Sequence, residues 1–214
     1  MRKSSVSILL CQNSTMNSPA PLNDEREKPL WIQLSEAHQR YTTDTSAHYD
    51  EVLFEVSKRF AEVGSLGKAD IGSLLLWKRL RADTKWAKNL MNTPDQEVRQ
   101  ATARTFLLAN DNSFDLPEAA KEARSALGPV PGFTTGDALA SAVIVAAAPT
   151  RMAIYDRRAH HGLSLLKIKL TNSRGRYSRY MQEVQNLIEH LAQRDQTWTA
   201  REIDQALFTL GNQR

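Results

Sequence analysis

From Tyr41 onward, apolar positions recur at helical intervals, three and four residues apart. Tyr49, Val52, Leu53, Val56, Phe60 and Val63 share one face and predict an amphipathic helix over 47–63, with Gly64 as its stop. Ile71, Leu74, Leu75, Trp77 and Leu80 predict a second over 68–81. Thr93-Pro94-Asp95-Gln96 reads as a capping box with proline at the first helical position, followed by Val98, Ala101, Thr102, Thr105 and Leu108 on one face. Asp115 with Glu118 opens a short helix ending near 127. Thr134 with Asp137 opens one that runs to 148 and is stopped by Pro149. Another begins near Asp156. Tyr177, Tyr180, Met181, Val184, Leu187, Ile188 and Leu191 define a long helix over about 174–194. Thr199 with Glu202 caps the last, with Ile203, Leu207 and Leu210 inward and Gly211 as its stop. No stretch alternates with period two for long enough to require a sheet. The expected fold class is therefore all-α: a compact multi-helix domain of eight or so helices without internal repeats.

Residues 1–40 read as a flexible N-terminal tail and 41–214 as the helical domain, with two lobes joined near 110–117 as the alternative organisation. Arg2 and Lys3 followed by Val6, Ile8, Leu9 and Leu10 faintly suggest a signal peptide. The apolar part is too short and no small-residue cleavage site follows, so secretion is not expected. Met16 is an alternative start to Met1. With 214 residues the chain can bury a sizeable core, and 41% hydrophobic with 24% charged residues excludes a disordered chain. Cys11 is the single cysteine, which excludes a disulfide scaffold and a Cys-rich zinc site and fits a cytoplasmic home. The best apolar run, 138–148, is 11 residues of mostly small side chains, short of a membrane span, so no membrane partner is expected.

The net charge of +4 conceals an uneven distribution. Residues 157–182 carry seven bases (Arg157, Arg158, Lys167, Lys169, Arg174, Arg176, Arg179) and no acid, while 68–88 carry six bases against two acids. The remainder of the chain is net acidic. Such segregation is how a polyanion-binding face is written, the plainer reading being a solvated surface.

The most informative stretch is 127–163. A helix ends at Leu127, a Pro/Gly turn follows, and a helix of small residues (Ala138, Ala140, Ser141, Ala142) begins with unpaired backbone N–H groups, a ready anion site. Pro149 ends that helix, Met152-Ala153-Ile154-Tyr155 links onward, and Asp156 precedes Arg157 and Arg158. A carboxylate at a helix N-terminus beside two guanidiniums is expected to be ionised. It is suited to capping its helix, accepting a proton or stabilising a developing cation.

This stretch resembles the helix-hairpin-helix DNA glycosylase superfamily, which includes endonuclease III and the 8-oxoguanine glycosylases. Val130-Pro131-Gly132-Phe133 matches the hairpin, Ala138 its alanine, and Ile154-Tyr155-Asp156 the turn bearing the essential aspartate, at about the family's interval. The match covers about 37 of 214 residues. The resemblance implies a helix-hairpin-helix motif, Asp156 as the group that activates water or stabilises the oxocarbenium-like sugar, and DNA contacts from Pro131, Gly132, Thr134, Thr135 and Gly136. Thr134 stands where a second hairpin glycine is expected, and Gly136 where bifunctional members carry a lysine nucleophile. A lyase step is therefore not implied, and with one cysteine no iron–sulfur cluster is either.

Arg157, Arg158, Lys167, Lys169, Arg174 and Arg176 are the expected strand anchors. Trp77 and Trp86, which bracket the other basic segment, are candidates for the walls of a base pocket, although a Trp on an apolar helical face is more often core. His160 and His161 read as imidazoles beside DNA rather than metal ligands, and Tyr177 and Tyr180 as packing. The expected function is that of a monofunctional DNA glycosylase acting as a monomer, with no metal and no cofactor. The alternatives are a non-catalytic DNA-binding protein in which Asp156 only caps, and, more remotely, a helical protein-interaction module.

Overall fold

A computed structural model describes residues 28–212. Those residues form ten helices and no strand, as the absence of period-two patterning predicts: α1 (Leu30–Asp44), α2 (Glu51–Val63), α3 (Lys68–Trp77), α4 (Lys85–Asn92), α5 (Asp95–Ala109), α6 (Leu116–Ala126), α7 (Ala138–Ala147), α8 (Arg157–Leu165), α9 (Arg176–Ala192) and α10 (Ala200–Gly211). No described helix is long and apolar enough to cross a membrane.

The central element is α7. Every residue from Leu139 to Ala147 is buried, because a helix apolar on all sides can only sit inside others. Helices α2, α3, α5 and α6 pack on it, α9 lies on α6, and α8, α10 and α1 form a second packed group. One continuous apolar core runs from Leu34 to Leu210 through both. At the α8–α10 crossing, a Cβ on Gly162 would collide with the Leu207 carbonyl and one on Gly211 with the Arg158 carbonyl. Two glycines therefore let the backbones touch. Gly211 thus serves the packing as the last residue of α10, and Asn212 is the C-cap.

Several expected boundaries shift. The division at residue 41 falls inside α1, whose Leu34, Ala37 and Tyr41 are buried against α10, so residues 30–40 are helix rather than tail. Their spacing is helical; the polar residues around them mask it. Residues 1–27 of the expected tail, with Cys11, Met16 and the 1–12 segment, lie outside the described residues. Helix α4 was not expected; Thr84 caps it by accepting the Ala87 N–H. The anticipated Thr134–Asp137 and Thr93–Gln96 boxes do not form. Asp137 is itself the N-cap of α7 with its carboxylate turned to arginines, and Pro94 is the N-cap of α5. The Asp115 and Thr199 caps form as expected. Val63, assigned to an inward face, is 63% exposed.

Candidate active site

Asp156 is the N-cap of α8. Its Oδ1 accepts the Arg158 and Ala159 N–H groups, both at 3.0 Å, which satisfies two of the four donors a helix start leaves open. Its Oδ2 faces the C-terminal end of α3, where Lys78 Nζ donates at 2.9 Å. Both side chains are mostly buried, 11% exposed for Lys78 and 19% for Asp156. Burial works to raise the carboxyl's pKa, but the Lys78 charge and the three hydrogen bonds outweigh it and hold the group below its usual range. Asp156 is a carboxylate at neutral pH.

The segment leading to Asp156 is fixed from two sides. Ser141, one turn into α7, accepts the Tyr155 N–H at 3.0 Å, and its hydroxyl lies 3.2 Å from the Tyr155 carbonyl. Asp204 of α10 accepts the Ile154 N–H at 2.8 Å. Asp204 also receives Arg201 Nη1 at 2.6 Å, while Arg201 Nη2 reaches Asp50 at 2.9 Å. Burial pushes the Asp204 carboxyl up to about 7, opposed by Arg201, by the Ile154 N–H and by Lys78, and reinforced by Asp156. A single guanidinium serves two carboxylates, which is why burial wins at Asp204. Arg201 stays charged because Asp204 and Asp50 more than offset its own desolvation.

Lys78, Asp156, Arg201 and Asp204 line a cleft whose walls include Tyr41, Tyr49, Trp77 and Phe208. Trp77 donates its indole N–H to the Tyr49 carbonyl and turns its ring toward Lys78 and Arg201, at 5.6 and 5.8 Å from the centroid. The structure places Trp77, itself buried in the core, in one cleft with Asp156. Its free space is about 20 Å³, room for one water and less than a nucleobase requires.

Trp86 is elsewhere. Its ring lies against Gly132, where a Cβ would collide with it, so it packs on the 127–137 loop and does not line the cleft. In that loop Val130 and Phe133 are buried anchors, and the left-handed positions are Gly132 (φ +96°) and Gly136 (φ +81°). Thr134, Thr135 and Gly136 are exposed, Pro131 and Gly132 half-buried. Asp137 spends its two carboxylate oxygens on Arg124 and Arg176, at 3.0 and 2.9 Å, leaving the first turn of α7 without a side-chain cap.

The expected anchors divide into two groups. Arg157, Arg158, Lys167, Lys169 and Arg174 are exposed. Arg158 lies over the Phe208 ring at 4.9 Å. Arg176 instead bridges Asp137 and the Tyr155 ring, 4.6 Å from its centroid, and so ties the loop to the residue before Asp156. Arg179 is likewise engaged, on the carbonyls of Thr171, Ser173 and Arg174 in the exposed turn before α9. His160 meets the Tyr155 hydroxyl at 2.9 Å and His161 the Gly211 carbonyl. No cluster of three or more potential metal ligands exists among the described residues. Tyr177 and Tyr180 are fully buried, donating to the Ala153 and Ile154 carbonyls.

Lys78, Ser141, Arg201 and Asp204 were not legible as site residues. Ser141 stood among small packing residues and Lys78 within a charged run, and neither pattern announces a partner distant in sequence. Compared with known proteins, the chain matches no family model, no curated protein and no solved structure.

Proposed function

We propose that this protein binds DNA and hydrolyses the N-glycosidic bond of a damaged or modified base, acting as a monomer in the cytoplasm. The observation that carries the reading is an ionised Asp156 in an aromatic-walled cleft, with its neighbour Tyr155 tied by Ser141 to α7 and by Arg176 to the glycine-bent loop. Loss of a base from deoxyribose builds positive charge on the sugar, and a fixed carboxylate in a poorly hydrated cleft stabilises such charge more than water does. In this reading the helix-hairpin-helix is formed by α6, residues 127–137 and α7. The loop amides near Gly132, Thr134, Thr135 and Gly136 receive a backbone phosphate, and Arg157, Arg158, Lys167, Lys169 and Arg174 hold the strand. Extrusion of the base into the cleft requires the side chains around Trp77 and Lys78 to part.

The test is incubation of wild type and Asp156→Asn with duplexes carrying uracil, 8-oxoguanine, alkylated purines or modified cytosines, scoring abasic sites after alkali. Release by wild type, lost in the variant while DNA affinity persists, is the expected result. The closed cleft, and the engagement of both Asp156 oxygens, favour a second reading as a non-catalytic DNA-binding protein. That reading gives salt-dependent binding by both proteins and release by neither.

A further inference from the structure

Lys78 is a mostly buried ammonium with Asp156 as its one hydrogen-bond partner among the described residues, and an ammonium carries three donors. It stands over the face of Trp77, against which a flat base would stack. The other groups there are less well placed to reach a base. Guanidinium Arg201 keeps its charge and is spent on Asp50, Asp204 and Tyr41. Burial raises the Tyr41 hydroxyl well above the ordinary phenol range. Asp204 is enclosed and has both oxygens engaged, by Arg201 and by the Ile154 N–H.

Breaking an N-glycosidic bond separates charge: the sugar becomes positive and the departing base negative. The Asp156–Lys78 pair presents an anion and a cation 2.9 Å apart, matching that separation. Resting on the glycosylase reading above, we infer that Lys78 is the acid that protonates the leaving base. The C1′–N bond breaks with its electron pair going to the base, and the Lys78 ammonium gives that base a proton. Water oxygen then bonds C1′, its proton goes to the Asp156 carboxylate, and passage of that proton from Asp156 to Lys78 restores the pair. The sum is one water consumed, one free base and one abasic sugar formed. The substrates this favours are neutral bases that leave poorly without a proton. A cationic N7-alkylated purine leaves as a neutral base and needs no acid.

The experiment measures single-turnover release by full-length wild type, Lys78→Gln and Lys78→Arg. Its substrates are duplexes carrying uracil and 5-fluorouracil, or 8-oxoguanine and N7-methylguanine, each pair joining a poor leaving group to a better one. Arginine keeps a positive charge opposite Asp156 but cannot give up its proton, so Lys78→Arg preserves the ion pair where glutamine destabilises the fold. Both variants are expected to slow the poorer substrate by about 100-fold or more, and the better one by less than about fivefold. Equal slowing of both substrates overturns the assignment while leaving the glycosylase reading intact. So does a borohydride-trapped covalent adduct that forms with wild type and not with Lys78→Gln, since it makes Lys78 a nucleophile. Release of no base by wild type overturns the glycosylase reading and this assignment with it.

Discussion

Ser141 Oγ accepts the backbone N–H of Tyr155 at 3.0 Å, and its one proton is within reach of both the Ala138 carbonyl at 3.1 Å and the Tyr155 carbonyl at 3.2 Å. A side chain of the buried central helix therefore positions the residue that precedes Asp156. Ser141→Ala leaves a buried N–H without its acceptor, a cost of about 1–3 kcal/mol. The expected outcome is a lower melting temperature together with slower base release at unchanged DNA affinity. Unchanged melting would show that the link carries no energy.

The bend at Gly132 is committed twice, by its left-handed φ of +96° and by the Trp86 ring seated on it. Gly132→Ala is expected to destabilise by about 2 kcal/mol or more, combining backbone strain and collision. Trp86→Ala in the same chain removes the collision and leaves the strain. Denaturant titration of the two single variants and the double variant separates these terms, and strict additivity would mean that the two residues are not coupled.

Asp204 gives the fold a pH dependence of known sign. Its carboxyl is raised to about 7 in the folded state, so the folded protein binds the proton more tightly than the unfolded chain. Its stabilising contribution is fully present below the unfolded carboxyl range and is lost as pH rises through about 7. Asp95, Asp111 and Asp156, whose pKa values are lowered, act in the opposite sense, their stabilisation being lost as pH falls. The comparison of wild type with Asp204→Asn isolates the first effect. The difference in melting temperature between them should change across pH 4–8 in the direction that favours wild type at the acidic end. A constant difference would remove Asp204 as the titrating group.

The basic residues should separate by assay. Arg157, Lys169 and Arg174 are exposed, and substituting each by Gln is expected to weaken DNA binding and to lower the slope of log affinity against log salt by about one. Arg176 is committed to Asp137 and Tyr155, so Arg176→Gln is expected to lower thermal stability first. Fluorescence anisotropy over a salt series beside thermal melts reads both. A reduced salt slope for Arg176→Gln at unchanged stability would reverse its assignment.

What the sequence determined is what neighbouring residues decide among themselves. The 3.6-residue recurrence of Val184, Leu187 and Leu191, the caps at Asp115 and Thr199, and Asp156 at the start of α8 all depend on partners within a turn or so along the chain. The all-round apolar composition of 139–147 is local in the same way, although the burial of that helix on every side was read only from the structure. Tertiary structure decided which side chains meet across the fold. It set Lys78 against Asp156, 78 residues away, turned Trp86 from the cleft onto Gly132, and spent Arg176 on Asp137. It also buried one face of α1 against α10, which made helix of residues 30–40 where composition suggested tail. A charge or an indole has many partners that would satisfy it, and only the close packing of the core reduces them to one.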